Sequence, residues 1–160
     1  MTITPVEGLF EAHLTVSDLD RSVAFYRDVV GLELAHVIQA RGVAFFWMGG
    51  RGASMLGLWS IGSSPMAMRL HIAFRVARER IEAAVPALRA AGLVPRDSGR
   101  GREIEEPVVL AWMPAASVYF EDPDGHSLEY ICMLDDTPRP DLVRVPLSVW
   151  RNSVLRSRTN

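Results

Sequence analysis

An α+β protein made of two similar strand-and-helix units is the fold class this sequence predicts, and three observations carry it. Glu11-Ala12-His13-Leu14-Thr15-Val16 and His71-Ile72-Ala73-Phe74-Arg75-Val76 share a pattern about sixty residues apart. Each is followed by an amphipathic helical stretch. Each helix is followed in turn by short apolar runs cut by glycine or turn residues, as antiparallel strands are. Laid over one another, Leu14 matches Phe74 and Val16 matches Val76, so Glu11 matches His71.

The elements follow in order. Residues 8 to 16 read as a strand, and Asp18 is a suitable N-cap for a helix from Leu19 to Val30. Leu19, Val23, Tyr26 and Val30 fall on one face of that helix, and Gly31 supplies its stop. Strands are predicted over 33–40, 43–48 and 53–60, parted by Gly42 and by Gly49-Gly50-Arg51-Gly52. Gly62-Ser63-Ser64-Pro65 reads as the linker. The second unit opens with a strand at 69–76 and a helix at 78–91, which Pro86 should kink or shorten, and Gly92 closes it. A strand at 93–97 comes next, then a Gly-, Arg- and Glu-rich stretch, Ser98 to Glu106, with the composition of a mobile surface loop. Strands at 108–113, 116–121 and 127–133 complete the unit, the last two joined by the turn Asp122-Pro123-Asp124-Gly125. The expected organisation is a first unit at 8–61, a second at 66–133, and a tail at 134–160 with enough apolar residues to dock on the body or on a partner.

Composition narrows the function classes. Seventeen basic and nineteen acidic residues leave a net charge of −2, which gives no case for nucleic acid or an anionic membrane as partner. All the basic residues are arginine, so a Schiff-base lysine is excluded. Cys132 is the one cysteine, which removes intramolecular disulfides and cysteine-rich zinc clusters. It lies in an apolar run and reads as a buried, inert thiol. Met1 to Pro5 lacks the pattern of a signal peptide, and no apolar run has the length of a membrane span, so a cytoplasmic location is expected.

Alternation along the strands selects the candidate site. Side chains two apart share a face, so Glu11 and His13 point the same way. His71 shares its face with Ala73 and Arg75, and Glu129 points away from its apolar neighbours Leu128 and Tyr130. A glutamate buried on an otherwise apolar strand is costly without a cation, and histidine with carboxylate suits first-row divalent ions. Glu11 and His13 pairing with each other or with arginine is the structural alternative. His126, after the turn, is expected at the surface, and His36 has no counterpart in the repeat.

Asp18-Leu19-Asp20-Arg21-Ser22-Val23-Ala24-Phe25-Tyr26-Arg27-Asp28-Val29-Val30-Gly31-Leu32 resembles the first-helix signature of the vicinal oxygen chelate superfamily. Tyr119-Phe120-Glu121-Asp122-Pro123-Asp124-Gly125-His126-Ser127-Leu128-Glu129 resembles its closing signature. With His71-Ile72-Ala73-Phe74, the resemblance covers roughly residues 8 to 133. That superfamily holds glyoxalase I, extradiol dioxygenases, thiol transferases that inactivate fosfomycin, and bleomycin-binding resistance proteins. It implies two βαβββ units whose curved sheets form a half-open, glyoxalase-like barrel around a cleft, commonly in a homodimer.

The resemblance also implies a metal site. His71 and Glu129 match two of its ligand positions. Glu11 stands where the family's first-strand histidine usually stands, and His13, one same-face step along, is the competing ligand. The glutamate that glyoxalase I takes from the last strand of its first unit is missing, because only Gly57 lies near that register. The threonine and lysine of the fosfomycin enzymes also lack counterparts, since His13 occupies the threonine's place. The implied function is a metal-dependent lyase or transferase, lactoylglutathione lyase-like, acting on a small molecule with adjacent oxygens. Its cofactor is a divalent nickel, zinc, manganese or iron ion, with a thiol as possible cosubstrate. Glu129 or Glu11 is the candidate general base, and His13 can contact the substrate. The alternative is a metal-free protein that sequesters a small molecule, with the strand Phe45-Phe46-Trp47-Met48, Met55 and Trp59 as candidates to line its binding surface. Core packing accounts for such residues more often, and alternate positions face different ways.

Overall fold

The computed structural model describes residues 8–62 and 68–158, so Ser63 to Pro65 of the expected linker and the Met1 to Pro5 segment lie outside it. The described chain divides into two compact units, one ending at Leu70 and one beginning at His71.

The first unit is a four-stranded sheet with one helix. Its strands are β1 (Glu11–Val16), β2 (Glu33–Ile38), β3 (Val43–Met48) and β4 (Ser54–Ser60), in the order β1-β4-β3-β2. β1 runs parallel to β4, and the other pairs are antiparallel. Alternation sorts each strand. Leu14, Val16, Ala44, Phe46, Leu56 and Leu58 are fully buried on one face, whereas Glu11, His13, Phe45, Gly57 and Trp59 share the other. The buried face carries helix α1 (Leu19–Ala24), whose N-cap Asp18 accepts a hydrogen bond from the Arg21 N–H at 3.0 Å. The helix does not run on regularly to Val30. It widens into a π-helical segment, Phe25–Val29, which buries both Phe25 and Tyr26. Gly31, at φ +81°, then turns the chain so that the Leu32 N–H donates to the Tyr26 carbonyl at 2.9 Å.

The second unit repeats this topology and adds to it. β5 (His71–Arg75), β6 (Val108–Leu110), β7 (Ala115–Glu121) and β8 (Ser127–Met133) take the order β5-β8-β7-β6, again with the first and last strands parallel. The expected strand at 93–97 is not one. Arg96 alone makes bridges, to Glu103 and Tyr119, and β6 fills the sheet position instead. The expected single helix divides into α2 (Arg78–Ile81) and α3 (Ala84–Ala90). Pro86 lies in the first turn of α3, where a missing N–H costs no helical hydrogen bond.

Two further expectations are corrected in this unit. The stretch from Ser98 is tied down, with the Asp97 N–H donating to the Arg102 carbonyl at 3.0 Å and the Ile104 N–H to the Pro95 carbonyl at 3.1 Å. His126 is buried, only 1% exposed. The Asp122 carboxylate accepts from the N–H groups of Asp124 and His126 at 3.0 and 2.8 Å, which folds the turn inward.

The tail lies on the second unit. β9 (Arg144–Pro146) pairs with the outer edge of β6, and α4 (Leu147–Arg158) follows it. Trp150 is 1% exposed and its indole N–H donates to Asp136 at 2.8 Å. Glu106 accepts from both the N–H and the hydroxyl of Ser148, at 2.8 and 2.7 Å, and so caps the helix start. Among the described residues, no helix is long and apolar enough to cross a membrane.

Candidate functional site

The two sheets have equivalent registers, so positions can be matched from one to the other. Glu11 pairs with Met55 and His71 with Ser127, each at the first residue of its strand. Two residues on, His13 pairs with Gly57 and Ala73 with Glu129. One strand further, Phe45 stands beside Gly57 and Tyr119 beside Glu129. The two units therefore fill the same place from opposite strands. In the second, Ala73 is small and Glu129 occupies the space. In the first, Gly57 has no side chain and the His13 ring lies there instead. A Cβ on Gly57 would come within 3.1 Å of His13 Nδ1 and 3.2 Å of Cε1.

In the second unit the structure brings His71 and Glu129 together, Nε2 to Oε2 at 3.2 Å. Glu129 is 3% exposed, while His71 is half open to solvent. His71 Nδ1 lies 3.0 Å from the Ser127 backbone carbonyl oxygen, which can only accept, so Nδ1 carries the proton and Nε2 faces the carboxylate. Glu129 Oε1 is buried with no hydrogen-bond partner. The Tyr119 ring stacks on the His71 imidazole, with centroids 5.7 Å apart and planes at 24°. Burial pushes the Tyr119 phenol up to about 12, helped by the charge of Glu129 and a hydrogen bond to it, against the opposing pull of Arg144. The phenol is thus held neutral as a donor beside the carboxylate.

In the first unit Glu11 Oε1 and His13 Nε2 are 3.1 Å apart and both are partly exposed. The His13 ring is edge-on to Phe45, at 6.1 Å, and tilted against Trp59, at 5.3 Å. The Arg41 guanidinium covers Trp59 at 5.0 Å, and the Trp59 indole N–H is buried without a partner. His36 shares this sheet face through its pairing with Phe45. Cys132 is buried, and burial pushes its thiol up, away from reactive thiolate.

A divalent ion fits the His71–Glu129 pair. A histidine fixed through its far nitrogen by a backbone carbonyl is the usual state of a metal ligand, and an orphaned buried carboxylate oxygen calls for a cation. Among the described residues, no three or more His, Cys, Asp or Glu side chains gather as a metal-holding group, so His71 and Glu129 stand as a pair. Tyr119 and Arg144 were not singled out from the sequence. Tyr119 was within reach, because the Asp122–Gly125 turn sets the β7–β8 register and hence the pairing of Tyr119 with Glu129.

Comparison with known proteins agrees with the fold. The family model for the Glyoxalase/Bleomycin resistance protein/Dioxygenase superfamily matches residues 8–130. The metallothiol transferase FosB of Shouchella clausii is 31% identical over 127 residues, covering 78% of this chain and 79% of that protein. Its counterpart from Lysinibacillus sphaericus is 28% identical over 131 residues, covering 81% of this chain and 83% of its own. Among solved structures, an integron cassette protein from the mobile metagenome of a Halifax Harbour sewage outfall is 34% identical with a TM-score of 0.66, covering 80% of this chain and 100% of that one. A lactoylglutathione lyase from Agrobacterium tumefaciens is 25% identical with a TM-score of 0.63, covering 81% and 96%. The chain belongs to the glyoxalase, bleomycin resistance protein and dioxygenase superfamily.

Proposed function

We propose that this protein is a glyoxalase-type, metal-dependent transferase or lyase acting on a small molecule with adjacent oxygens, with a thiol as cosubstrate on the transferase branch. The observation that carries the reading is the His71–Glu129 pair, with its fixed tautomer and its orphaned buried oxygen. The metallothiol transferase relatives support it, although the sequence pattern around His13 departs from the fosfomycin enzymes. His71 and Glu129 would be ligands, with Glu11 as a third and His13 as its competitor on the strength of the sequence repeat. A bound nickel, zinc, manganese or iron ion would act as a Lewis acid on the substrate oxygens.

The chain's own groups have definite tasks. Ser127 holds the His71 ring through its carbonyl. Tyr119, kept neutral, donates a hydrogen bond beside Glu129. Glu129 or Glu11 accepts a proton from the substrate where its carboxylate is free to do so. A homodimer working in the cytoplasm belongs to the same reading, and sedimentation at micromolar concentration tests the dimer.

Metal analysis of protein purified without a histidine tag is the direct test. About one divalent ion per chain or less than half of one should be retained, respectively, by the wild type and by His71→Ala with its fold intact. Equal metal content in the two proteins overturns the assignment. The second reading, metal-free sequestration of a flat ligand, is favoured by the half-buried Trp59, with its unpartnered indole N–H, beside Phe45 and His13. It predicts a protein that retains no ion and is stabilised by aromatic ligands alone.

A further inference from the structure

We propose that Arg102 and Arg144 form an oxyanion subsite that holds a carboxylate or phosphate group of the substrate or cosubstrate. The second unit contains a cavity of 420 Å³ bordered by both arginines, by the carboxylates Asp97 and Glu103, and by Val108 and Pro146. The carboxylates are already engaged. Asp97 Oδ1 accepts from the Arg102 backbone N–H at 3.1 Å and from the Ser98 hydroxyl at 3.2 Å. Glu103 is paired with Arg89 at 3.1 Å. Neither guanidinium has a carboxylate partner among the described residues, so both keep their donor forks open to an anion entering the cavity. A guanidinium presents a planar fork of donors that matches carboxylate and phosphate oxygens two at a time.

The cavity is linked to the His71–Glu129 pair. Pro146 pairs with Val108 and Val108 with Ser117, and Ser117 shares the sheet face of Tyr119. The Arg144 guanidinium lies 5.9 Å from the centre of the Tyr119 ring, and that ring stacks on His71. An anion on Arg144 is therefore two ring contacts from the imidazole, suited to anchor one end of a small molecule whose other end reacts there. Arg144 comes from β9, beyond the residues that the family model matches, whereas Arg102 lies within them, so the tail of this chain supplies one of the two arginines. The identity of the ligand as substrate or cosubstrate rests on the reading of His71 and Glu129 given above, whereas the anion site itself does not.

The test is a titration of the full chain with sodium phosphate and, separately, sodium acetate, at constant ionic strength set with chloride, followed through the arginine Nε–H resonances. Saturable shifts are expected at Arg102 and Arg144. Arg144→Ala and Arg102→Ala should each weaken binding about tenfold, close to 1.4 kcal/mol. Arg51→Ala, in the first unit, should leave it unchanged. Tighter phosphate binding assigns a phosphoryl-type ligand, and equal or tighter acetate binding a carboxylate. Shifts that never saturate, or affinities unaltered in both variants, overturn the subsite. Repeating the titration on His71→Ala separates the two proposals: phosphate binding that survives there stands whatever becomes of the metal assignment.

Discussion

His71 Nε2 and Glu129 Oε2 lie 3.2 Å apart although 58 residues separate them in sequence, because parallel pairing of β5 with β8 makes their strands neighbours. The same pairing places the Ser127 carbonyl 3.0 Å from Nδ1. One strand thus supplies both the carboxylate and the group that orients the imidazole. Glu129→Gln keeps the shape and removes the charge. It should weaken divalent-ion affinity by at least about 100-fold, roughly 2.7 kcal/mol, in a chelator-competition titration. Unchanged affinity would show that Glu129 is not a ligand.

Tyr119 gives a spectroscopic handle on the same carboxylate. Its phenol is raised to about 12 by burial first and by Glu129 second. The folded state therefore prefers the neutral phenol, and the stability this group contributes is full below pH 10 and lost as pH rises toward 12, by roughly 2 kcal/mol. Ultraviolet titration of wild type against Tyr119→Phe should show a phenol with a midpoint near 12. Glu129→Gln should move that midpoint down, though not to 10, since burial persists. A Tyr119 midpoint of 10 in the wild type contradicts the environment described here.

Much of the fold was legible because the repeat is written in two apolar strands with fixed spacing. Leu14 and Val16 against Phe74 and Val76 set the register that pairs Glu11 with His71, and the structure places both at the first residue of their strands. What was not legible depends on contacts distant in sequence. The burial of His126 follows from Asp122 accepting two N–H groups, which a strong turn composition alone does not reveal. The stretch from Ser98 looked mobile because its residues are Gly, Arg and Glu, yet its backbone groups find partners within the loop and on Pro95 and Asp97. Position 57 looked like a missing ligand. Its meaning became visible only once the His13 ring was seen lying over it.

The tail can be tested as part of the second unit. Trp150 is buried and its indole N–H is 2.8 Å from Asp136 Oδ2. Trp150→Ala leaves a large void and should cost roughly 3–5 kcal/mol in urea unfolding. Trp150→Phe retains most of the packing and loses the hydrogen bond, at about 1 kcal/mol. A near-zero effect of Trp150→Ala would mean that the tail contributes nothing to the stability of the unit.

Gly57→Ala probes the exchange between the two units. The strand conformation at Gly57 accepts an alanine without backbone strain, so the effect comes from the methyl group meeting the His13 ring atoms at 3.1 to 3.3 Å. The ring must shift by a few tenths of an ångström, at a cost on the order of 1 kcal/mol. Imidazole resonances of His13 should move while those of His71 stay in place. Unmoved His13 resonances would show that its ring does not rest on Gly57.

The first-strand ligand is decided by comparing Glu11→Gln with His13→Ala in metal titrations. Register favours Glu11, the positional equal of His71, and the 3.1 Å contact between Glu11 and His13 shows that the two reach the same point of the sheet face. The competing argument is that imidazole is the more usual ligand and that His13 lies about 7 Å further along the strand. It also takes the space that Glu129 takes in the second unit. An oxygen-rich set of Glu11, His71 and Glu129 tilts preference toward manganese or iron over zinc. Glu11→Gln should therefore lose the ion, while His13→Ala keeps it with altered turnover. His13 would then contact the substrate or a bound water. The reverse result, loss in His13→Ala and retention in Glu11→Gln, makes His13 the ligand and leaves Glu11 as its hydrogen-bonding support or as the base.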